Sequence, residues 1–334
     1  MSGVRAGAPP GPGSPCTLDT RTPSHAMQTT DPERTPCEGG AAAPAASRRT
    51  QVRWSTLASL LADESPAVLD AVRRQFEAGG RAGVPALVRA TRDDSPLVRS
   101  RARTLLLERK KRAALRRILR HVSGHAIEFE KALFLLARYH DPNVDPRPWQ
   151  ARLDVLAGEI RLRTRDLHDP LERAGALVEY LATEVGFGSA KGEFHHPDNV
   201  HLHRVLERRR GIPLSLCAVY TFIARRAGIR TACVPLHGFV LLRLFGQGTT
   251  RLVDPYNRGR VRSERECREY LRQHGLPVRN ASFRDADDVT LLRRQVKNLV
   301  HSADLRGLVR ERRELSLIGR ALDVRRAVAA PNGT

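Results

Sequence analysis

From Ile212 to Ala224 the chain runs for thirteen residues, IPLSLCAVYTFIA, without one charged side chain. Over the whole sequence 28% of residues are Asp, Glu, Lys or Arg. The run is shorter than the roughly 18 apolar residues a bilayer crossing needs, and no longer uncharged apolar window exists elsewhere in the chain. A segment this apolar has to be wrapped by protein on every side, which predicts a central buried helix. Directly after it the period of hydrophobicity changes. RTACVPL, FVLLRLF and TRLVDPY are short β-branched or aromatic runs separated by glycine-containing turns, and these predict a small antiparallel sheet. Helices first, then a buried helix, then strands, is the order of an α+β fold that is mostly helical.

The segments upstream are helical by the same test. LADESPAVLDAVRRQF from Leu61 and TRDDSPLVRSRARTLL from Thr91 match at an offset of 30 residues. In each, acidic residues precede Ser-Pro and an apolar-periodic run, so that a serine can cap the helix and proline can take its first position. VPALVRA from Val84 reads as the partner helix between them. Helix pairs at this period resemble HEAT-like repeats, which bury a shared face by stacking. The segment ERKKRAALRRILRHV follows from Glu108. It sets Leu115, Ile118, Leu119 and Val122 on one stripe and Arg109, Arg112, Arg116 and Arg120 on another. Further helices are expected in EFEKALFLLARYH, in PWQARLDVLAGEIRLRTR and in DPLERAGALVEYLATEVGF, the last ended by Gly186. VHLHRVLERRRG is another, with Asn199 as its expected cap. The implied division is a disordered tail over 1–50, a HEAT-like region over 51–125, an α+β domain over 126–280 and a C-terminal helical segment over 285–326. The tail is rich in Pro, Gly, Ser, Thr and Ala and has no apolar periodicity from which to build a core.

The formal net charge is +21, and of 57 basic residues only five are lysine: Lys110, Lys111, Lys131, Lys191 and Lys297. An arginine excess beside much Ala, Gly and Pro is what compositional drift on solvated faces produces. The alternative is a field that draws in nucleic acid. No membrane attachment is expected, and without an apolar leader the expectation is a cytoplasmic protein. Five cysteines, Cys16, Cys37, Cys217, Cys233 and Cys267, fit neither a disulfide framework nor a Cys-x-x-Cys metal knuckle. No cofactor is expected.

EKALFLLARYHDPNVDP, HHPDNVHLHRVLERRRGIPLSL, the helix reaching ARRAGI and the strand ending LVDPYNRG together resemble the SirB-type transglutaminase-like family, over about 128–275. The GIPLSL and DPYN elements carry most of the specificity. The resemblance implies a papain-like α+β fold, a C-terminal tetratricopeptide-like segment that LLRRQVKNLVHSADLRGLV from Leu291 would supply, and a role in regulation.

Active enzymes of this broader fold attack with a thiolate at the start of the central helix, take the proton on a histidine of the next strand and orient that histidine with an acid on the strand after. By the resemblance, the cysteine position falls around Pro213 and the histidine position on Phe239. Asp254, in LVDPYN, matches the acid, and it equally suits the cap of a Pro-Tyr-Asn turn. Cys217 is the substitute nucleophile, one helical turn or ~5 Å deeper; a cysteine in so apolar a helix is more often a core residue with a raised pKa. Ser215 has a hydroxyl but no visible activating partner. His237 lies two residues before the histidine position, ~6.6 Å away along a strand. A catalytic set of Cys217, His237 and Asp254 is therefore one hypothesis. A fold kept without the chemistry, acting as an interaction or regulatory module for a protein partner, is the leading one, and nucleic-acid binding through arginine-rich faces is a third. A separate cluster, His195, His196, Asp198, His201 and His203, has the donor types of a zinc or similar metal site. Its spacing fits no common motif, and Pro197-Asp198-Asn199 suffices as a turn.

Overall fold

The computed structural model describes residues 53–190, 192, 194–278 and 283–329. The tail expected over 1–50 and its two cysteines, Cys16 and Cys37, lie outside the described residues.

The N-terminal region has helices α1 (Pro66–Ala78), α2 (Val84–Ala90) and α3 (Pro96–Val122). The two Ser-Pro starts share a local device: the Asp63 carboxylate accepts from Ser65 N at 2.7 Å, and Asp93 accepts from Ser95 N at 3.0 Å. Pro66 and Pro96 each take the first helical position. Only Ser95 caps with its side chain, accepting from Val98 N at 3.4 Å; Ser65 makes no such bond. The segments beginning at Thr91 and Glu108 are one 27-residue helix, because nothing between them breaks the helical ladder. Val98 and Ala102 in its first half join a small core with Leu61, Val72, Phe76 and Leu87. Ala114, Ile118 and Val122 in its second half enter the large core. Arg101 fastens the start of the region, donating to the carbonyls of Leu61 and Asp63 at 2.7 and 2.6 Å.

The large core is built around α8 (Pro213–Arg226), whose residues from Pro213 to Ala224 are all buried. Full burial of a side chain such as Phe222 or Ile223 contributes roughly 1.5–3 kcal/mol, so this helix anchors the domain. Helices α4 (Phe129–His140), α5 (Pro146–Arg163), α6 (Pro170–Glu179) and α7 (Leu202–Arg208) surround it. At its C-terminal end, where a cation is favoured, Arg226 donates to Glu130 of α4 at 2.7 Å and to Asp154 of α5 at 2.6 Å. One expected cap is corrected. His201, not Asn199, precedes α7, while Asn199 accepts from Arg208 Nη1 and, through its carbonyl, from Ile212 N, tying α7 to the entry of α8.

Strands β3 (Thr231–Pro235), β4 (Val240–Phe245), β5 (Thr250–Asp254) and β6 (Arg260–Arg262) form an antiparallel meander in chain order. β6 and a short parallel pair, β1 (Gly188–Ser189) with β2 (Arg210–Gly211), add to the three strands expected. Between β5 and β6 the backbone turns sharply: Arg258 and Gly259 both adopt positive φ, 53° and 75°. Helix α9 (Glu264–Gln273) follows on a reciprocal capping box between Ser263 and Glu266. Helices α10 (Asp288–Leu305) and α11 (Val309–Ala329) make a hairpin broken at Gly307, and Leu292, Val296, Leu299, Ile318 and Leu322 from them belong to the large core.

Candidate functional site

Pro213 opens α8 because its fixed φ suits a first helical position and its missing N–H is not needed there. Beside it the β3–β4 hairpin turns at His237-Gly238, with Gly238 at φ 85°, and Phe239 follows. The tip is held by Leu236 N donating to Phe239 O at 2.9 Å and by Arg294 of α10 donating to the same carbonyl at 3.2 Å. β5 ends at Asp254. Pro213, Phe239 and Asp254 face one cavity of about 220 Å³, completed by Phe194, Gly238, Tyr256, Asn257, Arg262, Glu266, Cys267 and Tyr270. The positions that the resemblance gave to the cysteine, the histidine and the acid thus converge, and two of the three carry side chains that can neither attack nor transfer a proton.

The third, Asp254, is buried and committed to local structure. Its Oδ1 accepts from Asn257 N at 3.2 Å and its Oδ2 from Asn257 Nδ2 at 2.7 Å, which holds the Pro255-Tyr256-Asn257 turn. Arg262 Nη2 lies 3.6 Å from Oδ2. Among the described residues no histidine pairs with it. The other walls are aromatic. Phe239 meets Tyr270 edge-on at 5.0 Å between ring centroids, and Phe194 meets Tyr256 at 6.1 Å. Burial, and then the Asp254 carboxylate, raise the Tyr256 phenol above its ordinary value. Burial also pushes the Cys267 thiol up to about 11. Among the described residues of the cleft, the Tyr256 and Cys267 side chains are thus held protonated at neutral pH.

The two substitute catalytic residues lie outside the cavity walls. Cys217 is fully buried, and its thiol donates to Val240 O at 3.4 Å. Burial drives its pKa well above the usual thiol value. His237 is exposed at the hairpin tip, since the loop turns there before β4 begins and no bulge brings the ring inward. Ser215 is buried, donates to Val200 O at 3.2 Å and accepts from Gln295 Nε2 at 2.9 Å. The structure therefore brings Asp254 to the cleft and leaves Cys217, His237 and Ser215 out of it.

The five residues with metal-ligating side chains are dispersed by the local fold. His196 Nδ1 accepts from Asp198 N at 3.2 Å, capping the turn at Pro197–Asn199. Asp198 is paired with Arg204 at 3.1 Å and Arg208 at 3.9 Å. His195 packs edge-on to His301 at 4.4 Å between centroids. His201 and His203 turn into the interior, where His201 stacks on His140 at 4.2 Å and His203 meets Trp149 at 6.3 Å. Among the described residues no three His, Cys, Asp or Glu side chains are grouped so as to hold a metal ion.

Arg262, Glu266, Cys267 and Tyr270 were not singled out from sequence, because the cleft wall they form belongs to β6 and α9, neither of which was foreseen there. The signal was present: Ser263-Glu264-Arg265-Glu266 is the S-x-x-E pattern of a capping box.

A family model described as the transglutaminase-like superfamily matches residues 147–297, a span that contains all of this cleft. A UPF0162 protein of Xylella fastidiosa is 30% identical over 154 residues, 46% of this chain and 54% of the relative. A UPF0162 protein of Pseudomonas aeruginosa is 33% identical over 180 residues, covering 52% of this chain and 65% of the relative. Protein SirB1 of Salmonella typhimurium is 28% identical over 162 residues, or 46% and 60% of the two chains. The matched part thus spans between about half and two thirds of these curated relatives. No solved structure matches. No helix among the described residues is long and apolar enough to cross a membrane. Residues 147–297 form a transglutaminase-like domain, and the similarity to SirB1 and UPF0162 proteins supports a SirB-type transglutaminase-like family for it.

Proposed function

We propose that this protein is a non-catalytic interaction or regulatory module of the cytoplasm, and that the cleft at Pro213, Phe239 and Asp254 receives a protein partner. The observation that carries the proposal is that proline and phenylalanine line this open cavity at the positions the resemblance gives to a thiol and an imidazole. Loss of catalytic members costs an enzyme of this type on the order of a millionfold in turnover. Tyrosines and an arginine on the rim are the residue types that dominate binding hot spots. The HEAT-like reading of 51–125 and the tetratricopeptide-like reading of 285–326 belong to the same proposal, as surfaces flanking the cleft. The competing thiol enzyme needs Cys217, His237 and Asp254 within hydrogen-bond reach of one another. The bond from Cys217 to Val240 and the exposure of His237 count against it.

The test pairs an activity assay with site-directed crosslinking. A photoreactive residue at Tyr256, introduced in the native host, should capture a discrete partner. Capture should be lost in a Tyr270→Ala, Arg262→Glu variant whose fold is retained. Turnover of a glutamine donor or a peptide by the unaltered chain would overturn the proposal.

A further inference from the structure

Between α1 and α3, well apart in sequence from the cleft, a second cavity of about 120 Å³ is lined by Arg73, Arg109, Arg112 and Arg116, against only two acids, Glu77 and Glu108. Both acids are already engaged. Arg112 pairs with Glu77 and lies 3.6 Å from Glu108, and Glu108 is also 3.8 Å from Arg73 and 3.9 Å from Arg310. Among the described residues, the side chains of Arg109, Arg116 and the neighbouring Arg81 make no hydrogen bond or ion pair. Burial, and then the like charges of Arg116 and Arg81, hold the Arg109 guanidinium below its ordinary pKa. Arg109, Arg112 and Arg116 follow one another at spacings of three and four, so they share a helix face, where like charges are mutually destabilising. Over its 27 residues α3 carries ten Arg or Lys and one Glu. Phe76, Leu87 and Leu105 floor the cavity, and an apolar floor lowers the local dielectric and strengthens the unbalanced field above it.

The geometry points to a phosphoryl-binding site at Arg109, Arg112 and Arg116, taking the terminal phosphate group of a phosphate ester or polyphosphate. The cavity is small for a polypeptide segment or a base and sugar, and suits one tetrahedral oxyanion. Guanidinium forks donate in pairs to such oxygens. A phosphate monoester brings a charge of roughly −1.5 to −2 at neutral pH, which matches the surplus of cations better than a single carboxylate does. The site is independent of the cleft proposal and would stand if that one failed.

Calorimetric titration and thermal melts of the full chain at constant ionic strength test it, with inorganic phosphate, tripolyphosphate and a short duplex DNA as separate arms. Tripolyphosphate should bind saturably at one site and raise the thermal midpoint. Arg109→Gln with Arg116→Gln should weaken its binding at least tenfold without lowering the midpoint of the free protein. Arg117→Gln with Arg120→Gln, which removes the same charge from exposed positions nearby on the same helix, should leave the affinity within about twofold. Equal loss in the two double variants would show a diffuse charge effect and overturn the site. So would tight DNA binding without tripolyphosphate binding, or no binding in any arm.

Discussion

Phe239 and Tyr270 meet edge-on at 5.0 Å in the wall of the cavity that Pro213 and Asp254 also line. The pair joins the β3–β4 hairpin to α9, two elements that otherwise meet through a small apolar cluster of Val234, Leu236, Leu241, Cys267 and Leu271. The Phe239 ring therefore holds the cleft wall in position.

Tyr270→Ala should destabilise the fold by about 1–2 kcal/mol, since an aromatic pair contributes about 0.5–1.5 kcal/mol beyond area burial and Tyr270 also stacks on His274. Urea unfolding would measure this as a lower midpoint with little change in slope. Tyr270→Phe should cost far less, because the ring contacts remain.

Gly259→Ala tests the turn that places β6 and hence Arg262. The residue sits at φ 75°, and a Cβ there would lie 2.4 Å from Val178 Cγ1. Left-handed backbone costs a residue with a Cβ about 1–2 kcal/mol, and forcing an atom into a packed contact adds roughly 1–3 kcal/mol. A loss of about 2–5 kcal/mol is expected in chemical denaturation. Gly175→Ala is the control: Gly175 lies inside α6 and a Cβ there meets nothing, so it should be neutral or slightly stabilising.

The central helix and the strand order were legible because their signals are local and strong. An uncharged run of that length has few other places to go, and β-branched runs between glycines pair as hairpins. The helix starts at Pro66 and Pro96 were legible too, though Ser65 makes no side-chain cap bond; the start of α7 was not, since His201 precedes it and Asn199 is drawn off to Arg208 and the entry of α8. The cleft was half legible. Pro213, Phe239 and Asp254 could be aligned along the chain, but Tyr270 and Arg262 come from beyond β5 and meet them only through the turn at Arg258-Gly259. The histidine cluster misled for a related reason. Proximity in sequence put five donors together, while the turn at Pro197–Asn199 sends His201 and His203 inward and leaves Asp198 to the arginines.

Acid should destabilise this protein earlier than its carboxylates alone would require. His201 is fully buried with neither ring nitrogen partnered, and burial holds its pKa well below the ordinary value. Burial takes His203 down to about 4 and lowers His140 as well. In the unfolded chain these rings take up protons near pH ~6.5, whereas in the folded chain they do not, so the unfolded state binds more protons as pH falls. Stability should drop from about pH 6.5 towards 4. Thermal midpoints across that range would show the slope. His201→Leu, which removes an unsatisfied buried ring, should flatten it and leave the midpoint at pH 7 unchanged or raised. A slope unchanged by His201→Leu would place the acid sensitivity elsewhere.

The most direct test of a cleft without thiol chemistry is the pH dependence of alkylation at Cys217, followed peptide by peptide by mass spectrometry on the folded chain. With Sγ buried and bonded to Val240 O, Cys217 should react no faster than the fold opens. It should show no apparent pKa below about 8, the range of activated thiols. Rapid, selective alkylation of Cys217 at pH 7 that is abolished by His237→Ala would contradict this.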